Sequence, residues 1–544
     1  MNDERRTLCL KCFALWIGLA ALYACLRSFT YFSALVHDDG LFLYTGQAWA
    51  AGELPYRDFS DHKPPGLFFL LSLPCRLFPF SLFAVKTFLI LWAAAGATLL
   101  YILCRRITGR LASSIALLLY VFYTSQYTTI RTGGLTEEGA LPFVILSFLF
   151  FLQTRDWRWT LASGVALGAA VQFRQTFALT ALFHFVWIAQ QTLTKKQDIK
   201  TSATQTLALC AGMLLPECFV SFYFWINGAW WAYFENSYLF NFVYVSASPQ
   251  NTWQQIFAHH WNFLLSTGPF LLAPIFAILL TPWANQSLRR FLIPLLACFA
   301  GDLLAVSLSG EYYTHYYVQA AVSIHLLFVY CISSLAQRIP DNASQRKKAA
   351  YWPIAIIVCL STLLLLTSGV QTYIQNYRSI LNDYQNPNRA YAFQRGVASA
   401  VNQITGPDDT ILLIGQAPNS VYFLSKRYAG SRYFHYSPLW KEKFNDEKNV
   451  RFFQQLIFDI QQRKPAVIIM DLTVMNSDAP DVWLQSFSPE TAVALRGLYT
   501  PLEDAFADDI PEDEWFWYDI NVVFWIRNEK LDIVGNKLKA SSAL

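Results

Sequence analysis

The sequence predicts an α-helical polytopic membrane protein, with about eleven transmembrane helices and juxtamembrane interfacial helices, followed by a smaller α/β domain outside the bilayer. Three observations predict it. The chain is 54% hydrophobic and 17% aromatic but only 14% charged, a composition of membrane proteins. Apolar runs near bilayer length recur from the start. After Val370 the composition turns polar, and no further run is long enough to span.

The runs come in order at 8–29, 82–103, 111–127, 139–152, 159–173, 177–189, 207–226, 263–280, 291–308, 318–335 and 352–370. A few are short against the roughly 17 residues a span needs. The first is too long for a cleavable signal, lacks a small-residue cleavage site and is followed by more spans. Lys and Arg in short loops gather on the cytoplasmic side. With the N-terminus inside, the inner segments hold about seventeen of these residues and the outer loops about five, namely Arg57, Lys63, Arg76, Arg131 and Arg174. That split sets an odd number of spans and an outer C-terminal domain. Gly164 and Gly168 are small residues that let spans approach closely.

Residues 371–544 form the outer domain. "DDTILLIG" at 408–415 and "PAVIIMDL" at 465–472 read as buried strands, and "VRFFQQLIFDIQQR" at 450–463 as an amphipathic helix leading into the second. A strand near 521–527 completes a small sheet. No GxGxxG follows any strand, so no dinucleotide site is expected. The cysteines all precede this domain. Most sit in spans, where Cys packs as a small apolar residue. Cys9 and Cys12 have CxxC spacing but no further ligands nearby. The net charge of +4 is dispersed and forms no basic stripe, which argues against nucleic acid as a partner.

The chemistry concentrates in the first outer loop, "HDDGLFLYTGQAWAAGELPYRDFSDHKPPG" at 37–66. Leu41, Tyr44, Ala48 and Trp49 share a side at helical spacing, as in a helix lying in the membrane interface. Asp38 and Asp39 stand at its start, where acids cap helices, and Asp39 suits a cap. Pro64 and Pro65 stiffen the chain where it re-enters the membrane, beside Lys63. Acid, histidine and lysine beside a rigid turn suit a place where a phosphate is held and a proton removed. The second outer loop, "IRTGGLTEEGALPF", carries Arg131, Glu137 and Glu138, and Thr136 with two acids after it also reads as a helix start. Arg131 pairs with these acids or binds phosphate. Arg174 lies between apolar segments and needs an acid or a phosphate, Glu217 and Asp302 being candidate partners. "GEYYTHYY" at 310–317 brings His315 and several tyrosines to the outer mouth of a late span. His259 and His260 in "AHHW" read most simply as interfacial, with a metal role alongside the loop acids as the other reading.

The paired acids at 38–39, "HKPPG" at 62–66, "GLTEE" at 134–138 and "HYY" at 315–317 resemble the GT-C glycosyltransferases. The protein O-mannosyltransferase and aminoarabinose transferase group is the most similar, especially enzymes like the lipopolysaccharide galacturonosyltransferases. The resemblance covers residues 1–370. "WWAYFEN" at 230–236 is similar to the oligosaccharyltransferase WWDYG signature but lacks its Asp.

The resemblance implies a GT-C transmembrane catalytic domain, a periplasmic C-terminal domain and a place in the bacterial inner membrane. It implies inverting transfer of one sugar from a polyprenyl-phosphate donor to an envelope lipid, glycan or protein acceptor. In that reading Asp38, Asp39 and Glu137 are the catalytic group, with Asp38 as base. His62, Lys63, Arg131, Arg174, His315 and Tyr316, with Tyr313 beside them, contact donor phosphate or sugar, while Asp61 and Glu138 meet the acceptor. No cofactor is required, although the loop acids would accept a divalent cation. Two other functions fit parts of the pattern: a hydrolase of lipid-linked phosphates, and a multi-span transporter of envelope precursors. A transporter is expected to show repeated halves with interrupted helices near mid-membrane, and no internal repeat is evident. A receptor with an outer binding domain leaves the acid-rich loop unused.

Overall fold

The computed structural model describes residues 3–35, 37–153, 156–246, 252–267, 273–336, 370–386, 390–414, 419–435, 446–471, 489–506 and 522–542. The first part opens with the helices α1 (Asp3–Leu26), α2 (His37–Ala50), α3 (Gly66–Leu77), α4 (Leu82–Ile107), α5 (Arg110–Tyr123), α6 (Tyr127–Ile130), α7 (Thr136–Phe151), α8 (Trp157–Val171), α9 (Leu182–Leu193) and α10 (Ile199–Ile226). Side chains cap several of them. Ser81 accepts from the Ala84 N–H at the start of α4, Asp156 from Arg158 at α8, and Asp198 from Thr201 at α10.

Among the described residues, four helical stretches are long and apolar enough to cross a membrane: α4, α10, Gln286–Ser307 and Thr314–Leu335. The runs expected from the sequence map onto the described helices in different ways. The runs at 139–152 and 159–173 sit in α7 and α8, of 16 and 15 residues. The run at 177–189 is broken, opening as a 3₁₀ turn at Gln175–Ala181 before α9. The run at 263–280 overlaps the ends of two helices, Trp253–Thr267 and Ala273–Leu280, and 352–369 lies outside the described residues. The sequence reading passes over α3, because 12 residues with Pro74 inside do not make a span.

The small residues behave as expected. A Cβ on Gly164 would lie 2.3 Å from the Leu209 carbonyl oxygen, and one on Gly168 would lie 2.4 Å from that of Met213. The helices α8 and α10 therefore touch backbone to backbone, which only glycine permits.

Beyond residue 370 the chain forms a four-stranded sheet from β1 (Ile411–Ile414), β2 (Val467–Asp471), β3 (Tyr499–Pro501) and β4 (Val522–Arg527), in the order β1-β2-β4-β3. The first two strands pair in parallel, Ile411 opposite Val467, and β4 runs antiparallel to both β2 and β3. Three strands and the helix Asp446–Arg463 fall where the sequence places them. Alternation then assigns two faces. Leu412, Ile414, Ile468, Met470 and Trp525 pack with Phe452, Phe453, Leu456 and Ile460. Ile411, Leu413, Val467, Ile469, Phe524 and Ile526 join the other core, which continues without a break into the helical bundle.

That second face seats the sheet on α2. The Tyr44 ring packs against Tyr422 and Phe434, with centroids 4.8 and 4.7 Å away, and its hydroxyl accepts from the Ala429 N–H. Gln47 donates to the Tyr428 hydroxyl, and Gln394 bonds both backbone groups of Leu35.

Candidate active site

The first loop is a folded structure with its own hydrogen bonds. Asp58 accepts from the Leu54 N–H at 2.7 Å, and Tyr56 donates to the Lys63 carbonyl, also at 2.7 Å. The segment after α10 buttresses it, since Ser237 donates to the Tyr56 hydroxyl, Asn241 to the His62 carbonyl, and Ser60 to Asn236. From the other side His435 bonds the Ser60 carbonyl, and Arg463 donates to the Asp58 carbonyl. Two distant parts of the chain thus hold one short loop still.

Within it Asp61 is buried, accepts from the Lys63 N–H at 2.7 Å, and has His62 and His435 at 3.7 and 3.8 Å. Burial pushes its carboxyl up to about 6. Burial and the neighbouring Lys63 charge hold His62 well below the usual imidazole range, so its ring is neutral and its Nε2 accepts from Lys63 Nζ at 3.0 Å.

The two acids that open α2 have separate environments. Asp38 is 37% exposed and faces Arg131 at 3.7 Å. Asp39 is buried and, instead of capping its own helix, accepts from both the N–H and the hydroxyl of Thr132. Burial raises its carboxyl to about 6. The second loop reaches these partners through a sharp turn in which Arg131, Gly133 and Gly134 have φ of 51°, 82° and 99°.

The acids that follow divide in the same way. Glu137 forms an ion pair with Arg174 and accepts from Thr136 at 2.8 Å. Arg174 in turn lies 3.7 Å over the Tyr316 ring, a cation–π stack. Glu138 pairs with Arg27, whose guanidinium also donates to the Thr124 carbonyl, and accepts from the Gly134 N–H at 3.0 Å. His315 is buried, stacked on Tyr313, and the charges of Arg131, Arg174 and Lys63 all act on it. Arg131 also lies 5.7 Å from the Tyr313 ring centre.

Asp38, Arg131, Tyr313, His315, Tyr316, Arg174, Glu137, His62 and Lys63 therefore form one neighbourhood drawn from four separate stretches of sequence. A carboxylate open to solvent stands there beside three cations. Such a group can accept a proton while the cations hold an anion. Among the described residues no three of His, Cys, Asp and Glu gather in a metal-binding arrangement.

Comparisons with known proteins bear on this arrangement. The family described as dolichyl-phosphate-mannose-protein mannosyltransferase matches residues 62–216, a stretch that includes Lys63, Arg131, Glu137 and Arg174. The structure of ArnT from Cupriavidus metallidurans bound to undecaprenyl phosphate superposes with a TM-score of 0.56 at 13% identity, covering 95% of this chain and 98% of that one. The chain shares the fold of that structure. A second structure, the archaeal oligosaccharyltransferase AglB from Archaeoglobus fulgidus in complex with an inhibitory peptide and a dolichol-phosphate, gives a TM-score of 0.50 at 13% identity, over 90% of this chain and 72% of that one. No curated protein matches the sequence.

Several expectations from the sequence are corrected. Arg174 pairs with Glu137 rather than with Glu217 or Asp302. Glu217 instead accepts from Tyr233, Tyr238, Ser221 and Gln172, and Asp302 from Thr180 and Ser323. Arg131 faces Asp38, not the acids of its own loop. Asp39, Asp61 and Glu138 are buried and accept hydrogen bonds within the fold, from Thr132, Lys63 and Gly134. His259 and His260 serve packing: His259 stacks on Tyr312, and His260 bonds Tyr317 and Ser307.

Sequence reasoning missed Arg27, Lys86 and His435. The first two are cations inside the apolar runs 8–29 and 82–103, and the cost of burying such a charge is the signal that would have found them. Nothing in the local sequence marks His435.

Proposed function

We propose that this protein is a GT-C glycosyltransferase that moves a single sugar, a hexose or a pentose, from a polyprenyl-phosphate carrier such as undecaprenyl phosphate to an acceptor in the cell envelope. The observation that carries the reading is Asp38, half-open to solvent and 3.7 Å from Arg131, beside Lys63, Arg174 and His315. The phosphate-ester leaving group is already anionic and needs no general acid. Asp38 takes the proton of the acceptor hydroxyl as its oxygen attacks the anomeric carbon from the face opposite the phosphate. The bond from that carbon to the phosphate oxygen breaks, the configuration inverts, and Lys63, Arg131 and Arg174 stabilise the departing charge. A glycoside hydrolase would instead need two carboxylates in opposed roles, and Glu137 is already paired with Arg174.

The same reading assigns residues 1–370 as the transmembrane catalytic domain and 371–544 as a periplasmic domain. The N-terminus is cytoplasmic in a bacterial inner membrane, and the acceptor is a lipopolysaccharide or another envelope lipid, glycan or protein. The fold shared with a protein bound to undecaprenyl phosphate supports a lipid phosphate as carrier. The cation excess of the inner loops supports the topology.

The test uses purified protein in lipid nanodiscs, a panel of polyprenyl-phosphate sugars and extracted envelope acceptors, with Asp38→Asn alongside. Transfer by the wild type that falls by about 10²-fold or more in a folded, donor-binding Asp38→Asn is the expected result. Equal transfer by both removes Asp38 from the mechanism, and no transfer with any donor overturns the reading.

A further inference from the structure

Lys86 is a buried ionisable group near this site that the mechanism above leaves without a task. It lies on α4, is 1% exposed, and points its ammonium at the turn of the second loop. There Nζ donates to the Thr132 carbonyl at 2.6 Å, to the Gly133 carbonyl at 3.1 Å and to the Thr132 hydroxyl at 3.4 Å. That hydroxyl donates in turn to Asp39, whose charge acts on Lys86. The connection runs from α4 through Thr132 to the start of α2, one residue from Asp38.

What this connection holds is unusual. Arg131 has φ 51° and ψ −118°, a backbone conformation that glycine tolerates and a β-carbon disfavours. A non-glycine residue stays in such a conformation only where its surroundings over-determine it. The two peptide units that follow Arg131 present their carbonyls to Lys86, and a buried carbonyl without a donor is costly. Lys86 therefore fixes the orientation of the turn at the residue whose guanidinium faces Asp38. A plain hydrophobic residue would fill the space and leave both carbonyls unpaired.

We infer that Lys86, with Asp39 as its counter-charge, is a positioning residue that holds Arg131 in the strained conformation needed to meet the lipid phosphate beside Asp38. The inference rests on the reading of the site as a lipid-phosphate site. It also gives the second acid of the pair a role distinct from the first: Asp38 faces the substrate, and Asp39 neutralises the lysine that shapes the opposing loop.

The experiment measures equilibrium binding of undecaprenyl phosphate, and thermal unfolding, in nanodiscs for the wild type, Lys86→Met, Asp39→Asn and the double variant. Lys86→Met strands a buried carboxylate as well as two carbonyls, so its loss of stability is expected to be recovered in part in the double variant, where neither charge remains. Binding is expected to stay about tenfold weaker in both Lys86→Met and the double variant, the loss of one aligned charge-assisted contact. A double variant that recovers both stability and wild-type affinity overturns the inference, because Lys86 then only balances a charge. A double variant that fails to fold while Asp39→Asn folds overturns it too, since Lys86 is then a requirement of the fold. Wild type that binds undecaprenyl phosphate no better than phosphatidate removes the reading of the site, and this inference with it.

Discussion

A Cβ on Gly40 would stand 2.6 Å from the backbone nitrogen of Ser420. The helix that carries Asp38 and the helix Ser420–Ser425 therefore meet with no room for a methyl group. The contact predicts that Gly40→Ala shifts α2, because backbone cannot yield as a flexible side chain would. The expected cost is about 1–3 kcal/mol, read as a lowered Tm, with kcat falling more than KM rises. An unchanged Tm would mean that α2 is not gripped from this side.

The pair Arg174–Glu137 predicts an asymmetric response to mutation. Glu137→Gln leaves a half-buried guanidinium without its counter-ion, and Arg174→Met leaves a buried carboxylate. Each is expected to destabilise by about 3–5 kcal/mol. Arg174→Lys keeps the charge but loses the planar stack on Tyr316, so it should retain the fold while donor affinity drops. Thermal unfolding and donor titration separate the two effects.

Lys63 has a different environment, half-buried with its ammonium on the neutral ring of His62. Lys63→Met should leave Tm nearly unchanged and weaken binding of undecaprenyl phosphate by about tenfold or more, since it removes a charge-assisted contact and little packing. Equal affinity would place the phosphate elsewhere.

Asp61 predicts a pH dependence. Its carboxyl titrates near 6 in the folded protein against an ordinary value of 3.8, because burial disfavours the anion. A raised folded value means that the native state binds the proton more tightly than the unfolded chain. This contribution to stability is fully present below the ordinary value and is lost as pH rises through about 6. Asp39 shifts in the same direction for the same reason. Tm should therefore rise between pH 7 and 5, and Asp61→Asn should flatten part of that rise. A slope unchanged by the substitution would assign it to other groups.

Much of this was legible in the sequence, for reasons that local chemistry supplies. The density of polar residues at 37–66 marked the loop at the centre of the candidate site, and short continuous apolar runs marked β1, β2 and β4. Partners were not legible, since they join residues far apart. Glu137 and Arg174 are 37 positions apart, and Ser60 and His435 are 375. Lys86 was hidden by its setting, because one lysine barely changes the hydropathy of the 26-residue helix that surrounds it. The three-residue β3 has too little sequence to show a period at all.

The unbroken core between sheet and bundle has a consequence for anyone recombining such proteins. A half that rests on its neighbour through water and a linker can be exchanged; one that shares its apolar interior with the helix beneath it cannot. Grafting another protein's C-terminal half here would require rewriting the surface of α2 around Gly40, Tyr44 and Gln47 at the same time. The sheet and α2 would have to be exchanged together, as one unit.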